Sequence, residues 1–144
     1  MKDYVSIAEK YAPKGIRVRY KRKGNLLPAW ADLESKSMLV PVPDSREGLY
    51  VFLHECAHFH LKHFMPSQST DPRLKLAYTG NTPVMLAEQE FEAERWAMHI
   101  MRTEGVAVPR RIVKQAKSYV HSCVIAQEKH VEKIRKDVKN WALA

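Results

Sequence analysis

The chain has 144 residues, 45% hydrophobic and 28% charged, which suits one domain with a real core and excludes a disordered chain. No apolar run approaches the ~20 residues of a membrane span, and the opening "MKDYVSIAEKYAP" carries no signal-peptide core. Cys56 and Cys123 make no disulfide framework and suit a reducing, cytoplasmic compartment.

The net charge of +8 is unevenly placed. Lys14, Arg17, Arg19, Lys21, Arg22 and Lys23 stand together with no acid among them, and nine Lys or Arg lie between Arg110 and Lys139. Such basic ends suit weak contact with nucleic acid or an acidic partner, or two solvated surfaces, and net charge alone favours the second.

In chain order, residues 2–12 suit an opening helix with Val5, Ala8, Tyr4 and Tyr11 inward, ended by Pro13 and Gly15. "IRVRYKRK" alternates, with Ile16, Val18 and Tyr20 on one face and Arg17, Arg19 and Lys21 on the other, which predicts a half-buried strand. "PAWADLE" and "SKSMLVPVP" predict two more strands, and Pro41 and Pro43 place the second at a sheet edge. Asp44 offers an N-cap, with Glu47 completing a capping box, for a helix running to about Phe64 and stopped by Pro66. Residues 66–81 read as a loop. Thr82-Pro83 starts the next helix, which Gly105 is placed to end. After Pro109, the residues Ile112, Ala116, Tyr119, Cys123, Ala126, Val131, Ile134, Val138 and Trp141 share a stripe, on one helix or on two broken near 127–130.

The chemistry begins in "FLHECAHFHLKHF". Positions four apart on a helix lie about 40° apart, so His54 and His58 project side by side and can share one tetrahedral zinc ion. Glu55 lies 100° round from His54 and can reach a water on that ion as general base without being a ligand. The surrounding Leu49, Phe52, Leu53, Phe59, Leu61 and Phe64 predict a helix buried on most sides, where a glutamate between two histidines needs a charged partner. His60 and His63 project away from that face and read as structural or solvent-facing; Cys56 reads as a small core residue.

A catalytic zinc needs a third protein ligand. Wound at 100° per residue, "LAEQEFEAERWAMHIM" gathers Leu86, Ala87, Phe91, Ala93, Ala97, Met98, Ile100 and Met101 on one face, with Glu90 and Glu94 in its centre. Two core-facing carboxylates are costly unless something positive meets them. The economical solution is that Glu90 binds the metal, while Glu94, one turn on, accepts a hydrogen bond from a ligating histidine and fixes its tautomer. Pairing of both with Lys or Arg from elsewhere is the alternative. Glu88, Glu92, Arg95, His99 and Arg102 fall on the outer side, together with Trp96, which is either covered there or an exposed contact.

His54-Glu55-Cys56-Ala57-His58 followed some thirty residues later by Glu90-Phe91-Glu92-Ala93-Glu94-Arg95-Trp96-Ala97 resembles a zincin metallopeptidase of the gluzincin type, and most nearly the ImmA/IrrE family. The resemblance spans roughly residues 37–101, with Glu94 where that family often has Asn and Trp96 where it has Phe. It implies zinc ligands at His54, His58 and Glu90, one ion per chain, and a catalytic glutamate at Glu55. The predicted elements make a single α+β domain over 1–144, which the resemblance makes zincin-like. In it, a small three-stranded mixed sheet packs on the central helix of His54, beside a Glu90 helix and a basic C-terminal helical segment, 109–144.

The family's members cleave DNA-bound repressors in mobile elements and stress responses, so the substrate expected here is a transcriptional regulator. The strand near 37–42 is expected to align it by strand pairing, with Tyr78 or Tyr119 as candidate transition-state stabiliser. The competing reading is a zinc-stabilised binding module that grips nucleic acid or an acidic protein through the basic segments. Glu55 argues against it, because a structural site has no use for a general base. The residue types leave other divalent ions open.

Overall fold

The structure is a computed structural model and describes residues 3–22, 28–63, 86–127 and 136–144. Among these residues the architecture is α+β, with five helices and one three-stranded mixed sheet.

Helix α1 (Tyr4–Tyr11) is capped by Asp3, whose carboxylate accepts from the Ser6 backbone N–H at 3.2 Å and from its hydroxyl at 2.7 Å. Its inward stripe is Tyr4, Ile7, Ala8 and Tyr11, spaced i, i+3, i+4, i+7, so Val5 falls outside it and is exposed, against expectation. Glu104, from beyond the helix that follows the central one, accepts from Tyr11 Oη at 2.6 Å and Lys10 Nζ at 2.7 Å.

Strands β1 (Arg17–Tyr20), β2 (Trp30–Asp32) and β3 (Ser37–Val40) are ordered β1-β3-β2. β1 runs parallel to β3, pairing Arg17 with Ser37 through Tyr20 with Val40; β2 runs antiparallel to it, pairing Trp30 with Leu39 and Asp32 with Ser37. The hairpin from β2 to β3 turns on Asp32, whose side chain accepts from the N–H groups of Glu34 and Ser35. The strand expected at the edge is therefore the central one. Pro41 and Pro43 follow Val40, the last paired residue, and so remove no donor from the ladder. β1 is an edge strand: Ile16 and Val18 pack on the core, while Tyr20, at its last pair, is exposed together with Arg17 and Arg19.

Helix α2 (Arg46–His60) begins one residue later than expected. Ser45 is the N-cap, its Oγ accepting from Gly48 N at 3.0 Å, and Glu47 pairs with Arg111 instead of closing a capping box. The first turn of α2 lies hard against the chain leaving β3, since a Cβ on Gly48 would stand 2.6 Å from the Val42 carbonyl oxygen. Gly48→Ala is expected to destabilise, because forcing backbone apart in a packed turn costs about 1–3 kcal/mol and helix propensity returns only ~1. A lower urea midpoint checks this; an unchanged or higher one would show that the loop after β3 yields freely.

From Gly48 to His58 every α2 residue but Val51 is buried, with the sheet on one side and helix α3 (Ala87–Thr103) on the other. α2 ends at His60, short of Phe64. Lys62 adopts φ 55°, Lys62 N–H bonds to Phe59 O at 3.2 Å and His63 N–H to His58 O at 3.0 Å, the pair of bonds that defines a Schellman motif. α3 ends the same way at the predicted Gly105, with φ 75° and bonds from Gly105 N–H to Arg102 O and Val106 N–H to Met101 O.

The expected helix start at Thr82-Pro83 and the loop 66–81 lie outside the described residues. The first N–H of α3, that of Ala87, donates to Gln127 Oε1 at 2.7 Å, so the end of α4 (Arg110–Gln127) caps the start of α3. In α4 the buried stripe is Ile112, Ala116, Val120, Cys123, Val124 and Gln127; Tyr119 and Ala126, expected inward, are exposed. α5 (Lys136–Leu143) buries Val138 and Ala142 and sets Trp141 edge-on to Phe91. The expected break and the stripe members Val131 and Ile134 lie outside the described residues. No helix among those described is long and apolar enough to cross a membrane.

Candidate metal centre

The α2–α3 interface holds His54, His58, Glu55, Glu90 and Glu94, all buried in an otherwise apolar packing layer. Helical phase does this. His54 and His58 share the α2 face turned to α3, and Glu90 and Glu94 share the α3 face turned back.

His58 Nε2 lies 2.9 Å from Glu90 Oε1, and His54 Nε2 lies 3.6 Å from Glu90 Oε2. One donor atom from each of the three residues lies within 4.8 Å of the other two, close enough to hold a metal ion. Bonds of ~2.0–2.1 Å at tetrahedral angles separate ligand atoms by about 3.3 Å, and the observed spacings bracket that value.

The other nitrogen of each histidine is also engaged. His54 Nδ1 lies 2.6 Å from Glu94 Oε1 as an ion-pair contact without hydrogen-bond geometry, and Glu94 Oε2 accepts from the Tyr50 hydroxyl. His58 Nδ1 lies 2.8 Å from His63 Nδ1. Engaged distal nitrogens turn both Nε2 atoms towards Glu90, the arrangement typical of metal-binding histidines.

With protons alone to balance the carboxylates, the site is strongly polarised. Burial opposes a charged His54, but the Glu94 and Glu90 carboxylates beside it hold its pKa well above the usual histidine range. Burial likewise opposes a charged Glu90, yet the His54 charge beside it and the close approach of both histidine rings hold its pKa well below the carboxylate range. Burial pushes Glu55 up, in the direction a general base working near neutral pH needs. Burial, and then the His58 charge, lower His63 to about 4, so that ring is neutral at physiological pH. A dication would satisfy Glu90 and release the proton from His54, so the donor set and the charge both fit one.

A cleft of about 240 Å³ opens onto this cluster, lined by His54, Glu55, Glu90, Glu94 and Tyr119 together with Pro28 and Ala29. Tyr119 is 46% exposed as a residue, yet it lines the cleft with Glu90, and burial followed by the Glu90 charge raises its pKa. Tyr78, the other candidate stabiliser, lies outside the described residues.

The structure thus brings His54, His58 and Glu90 together, sets Glu94 on His54 and opens Glu55 and Tyr119 onto one cleft. Glu92 projects outward, its side chain 43% exposed. His60 is exposed, bonds through Nε2 to the Tyr11 carbonyl at 2.7 Å and stacks on Trp96, which is therefore covered by α1 and α2. His63 corrects the expectation, since it packs against His58 instead of facing away. A helix continued to Phe64 puts His63 about 140° from His58; a helix ended at His60 does not. Tyr50 was also missed, although it stands one turn before His54 on the same face.

Comparison with known proteins finds no family model, no curated protein and no solved structure that matches this chain.

Proposed function

We propose that the chain is a zinc-dependent endopeptidase of the ImmA/IrrE-like gluzincin type, acting in the cytoplasm on a protein substrate, in particular a transcriptional regulator. One observation carries this reading: Glu55 stands beside a compact two-histidine, one-glutamate cluster and opens onto the same cleft. That position suits a general base, and it gives nothing to a closed structural site.

A zinc ion held by His54, His58 and Glu90 would supply Lewis acidity towards the scissile carbonyl and lower the pKa of a water towards ~7. Glu55 takes the proton of the attacking water and passes it to the leaving amine. The Tyr119 hydroxyl faces the developing oxyanion, and Glu94 with Tyr50 keeps His54 oriented. Strand pairing of substrate falls to β2 instead of β3. Among the described strands β2 has its outer edge unpaired, and Pro28 and Ala29, just before it, line the cleft.

The exposed Arg17 and Arg19 on β1 favour a second reading, a zinc-stabilised module that contacts nucleic acid or an acidic protein. In an enzyme the same cations would bring the protein weakly to DNA where its substrate is bound. The discriminating experiment incubates zinc-loaded protein with a proteome-derived peptide mixture and with candidate regulators, and reads new termini by mass spectrometry. Specific cleavage lost on chelation and regained with stoichiometric zinc is expected. No cleavage by protein shown to hold one zinc would leave the binding module as the better account.

A further inference from the structure

We propose that His63 is a positioning residue of the metal centre, delivered by the helix-stop motif of α2 to accept the Nδ1 proton of His58. The inference rests on the metal-site reading above and adds to it the partner of one ligand.

In a Schellman motif the residue two past the cap folds back over the residue three before it, and that contact is commonly apolar. The end of α3 follows the rule, with Val106 and Met101 in those positions and both in the core. At the end of α2 the same two positions hold His63 and His58, with ring centroids 5.1 Å apart and Nδ1 atoms 2.8 Å apart. Lys62 reaches the left-handed conformation without being glycine, so the backbone accepts strain to make this turn.

The hydrogen between the two Nδ1 atoms can be placed from chemistry. If His58 Nε2 offers its lone pair to a metal, the His58 proton sits on Nδ1, and His63 Nδ1 must accept it. The proton of a neutral His63 then sits on Nε2. Among the described residues that atom is buried without a hydrogen-bond partner, 4.0 Å from Glu92 Oε2. A buried unpaired donor is costly, and a core that needed only volume here would hold an apolar side chain, as at Val106. The two ligands are thereby held unequally, His54 by the Glu94 carboxylate and His58 by a neutral imidazole. A carboxylate partner makes its histidine the stronger donor, whereas a neutral acceptor orients without adding charge.

The test measures metal affinity, by competition with a chromophoric chelator, and the ligand-field spectrum with cobalt. His63→Phe keeps the bulk and burial of the ring and removes the acceptor. His63→Asn restores an acceptor oxygen. His63→Phe is expected to bind zinc 10–100-fold more weakly with a shifted cobalt spectrum, at an unchanged metal-free melting temperature, and His63→Asn to recover most of the loss. Equal affinity and spectrum in wild type and His63→Phe would overturn the proposal while leaving the metal centre standing. Weak binding by both variants alike would also overturn it, by showing that ring shape and not hydrogen bonding is needed. A wild-type protein that takes up neither zinc nor cobalt would overturn the metal centre itself, and His63 with it.

Discussion

Glu55→Gln is expected to abolish peptide cleavage while leaving metal content and melting temperature close to those of the wild type. Glutamine keeps the shape of the side chain and its burial between α2 and the cleft. It does not disturb His54, His58 or Glu90, which supply the donor atoms. What it cannot do is take a proton. Loss of a positioned general base typically costs ~10²–10⁴-fold in rate, and among the described residues that line the cleft no second carboxylate is free to stand in, since Glu90 and Glu94 are engaged with the histidines. His58→Ala is the contrasting variant, losing cleavage and metal together. Cleavage of a regulator in cells, read beside metal content of the purified variants, separates the two losses. A Glu55→Gln protein that performs every measurable task as well as wild type would make the metal structural and the peptidase assignment wrong.

Glu90→Ala is expected to lower metal affinity by more than the 10–100-fold that the loss of an orienting partner costs, because it removes a donor atom outright. Glu92→Ala, two residues away, should change it little. The two carboxylates differ only in helical phase: Glu90 is 3% exposed and meets both histidines, while the Glu92 side chain is 43% exposed. Competition titration of the two variants reads this phase directly. Equal losses would mean that Glu90 does not reach the metal. Glu90→Ala also leaves His54 and His58 facing each other in a buried layer, so its metal-free form should melt below wild type as well.

Periodicity carried most of this site. The apolar wheel of α3 with two glutamates in its centre is a contradiction on a surface helix, and it is resolved once α2 supplies histidines at the same depth. The sheet was legible as three strands but not in its order, because hydrophobic alternation reports which face is buried and not which neighbour pairs. Pro41 and Pro43 suggested an edge, yet they lie beyond the ladder. The start of α2 turned on a choice between adjacent capping residues, Asp44 and Ser45, which propensity alone does not decide. His63 was illegible for a different reason. Its place depends on a helix ending without glycine, at Lys62, and no periodic signal announces that.

The burial of Glu90 and Glu94 in the seam between α2 and α3 reaches beyond chemistry to the lifetime of the chain in a cell. Two helices separated by 26 residues of sequence meet here through charged groups where most proteins would place leucines. An ion that binds only the folded form adds RT ln(1 + [L]/Kd) to the folding free energy, about 2.7 kcal/mol when its concentration is a hundred times Kd. Against a total stability of ~5–15 kcal/mol, that difference changes the unfolded fraction about a hundredfold, and with it the exposure to proteolytic turnover. Metal supply would then set how many copies survive, so that scarcity clears the protein from the cell.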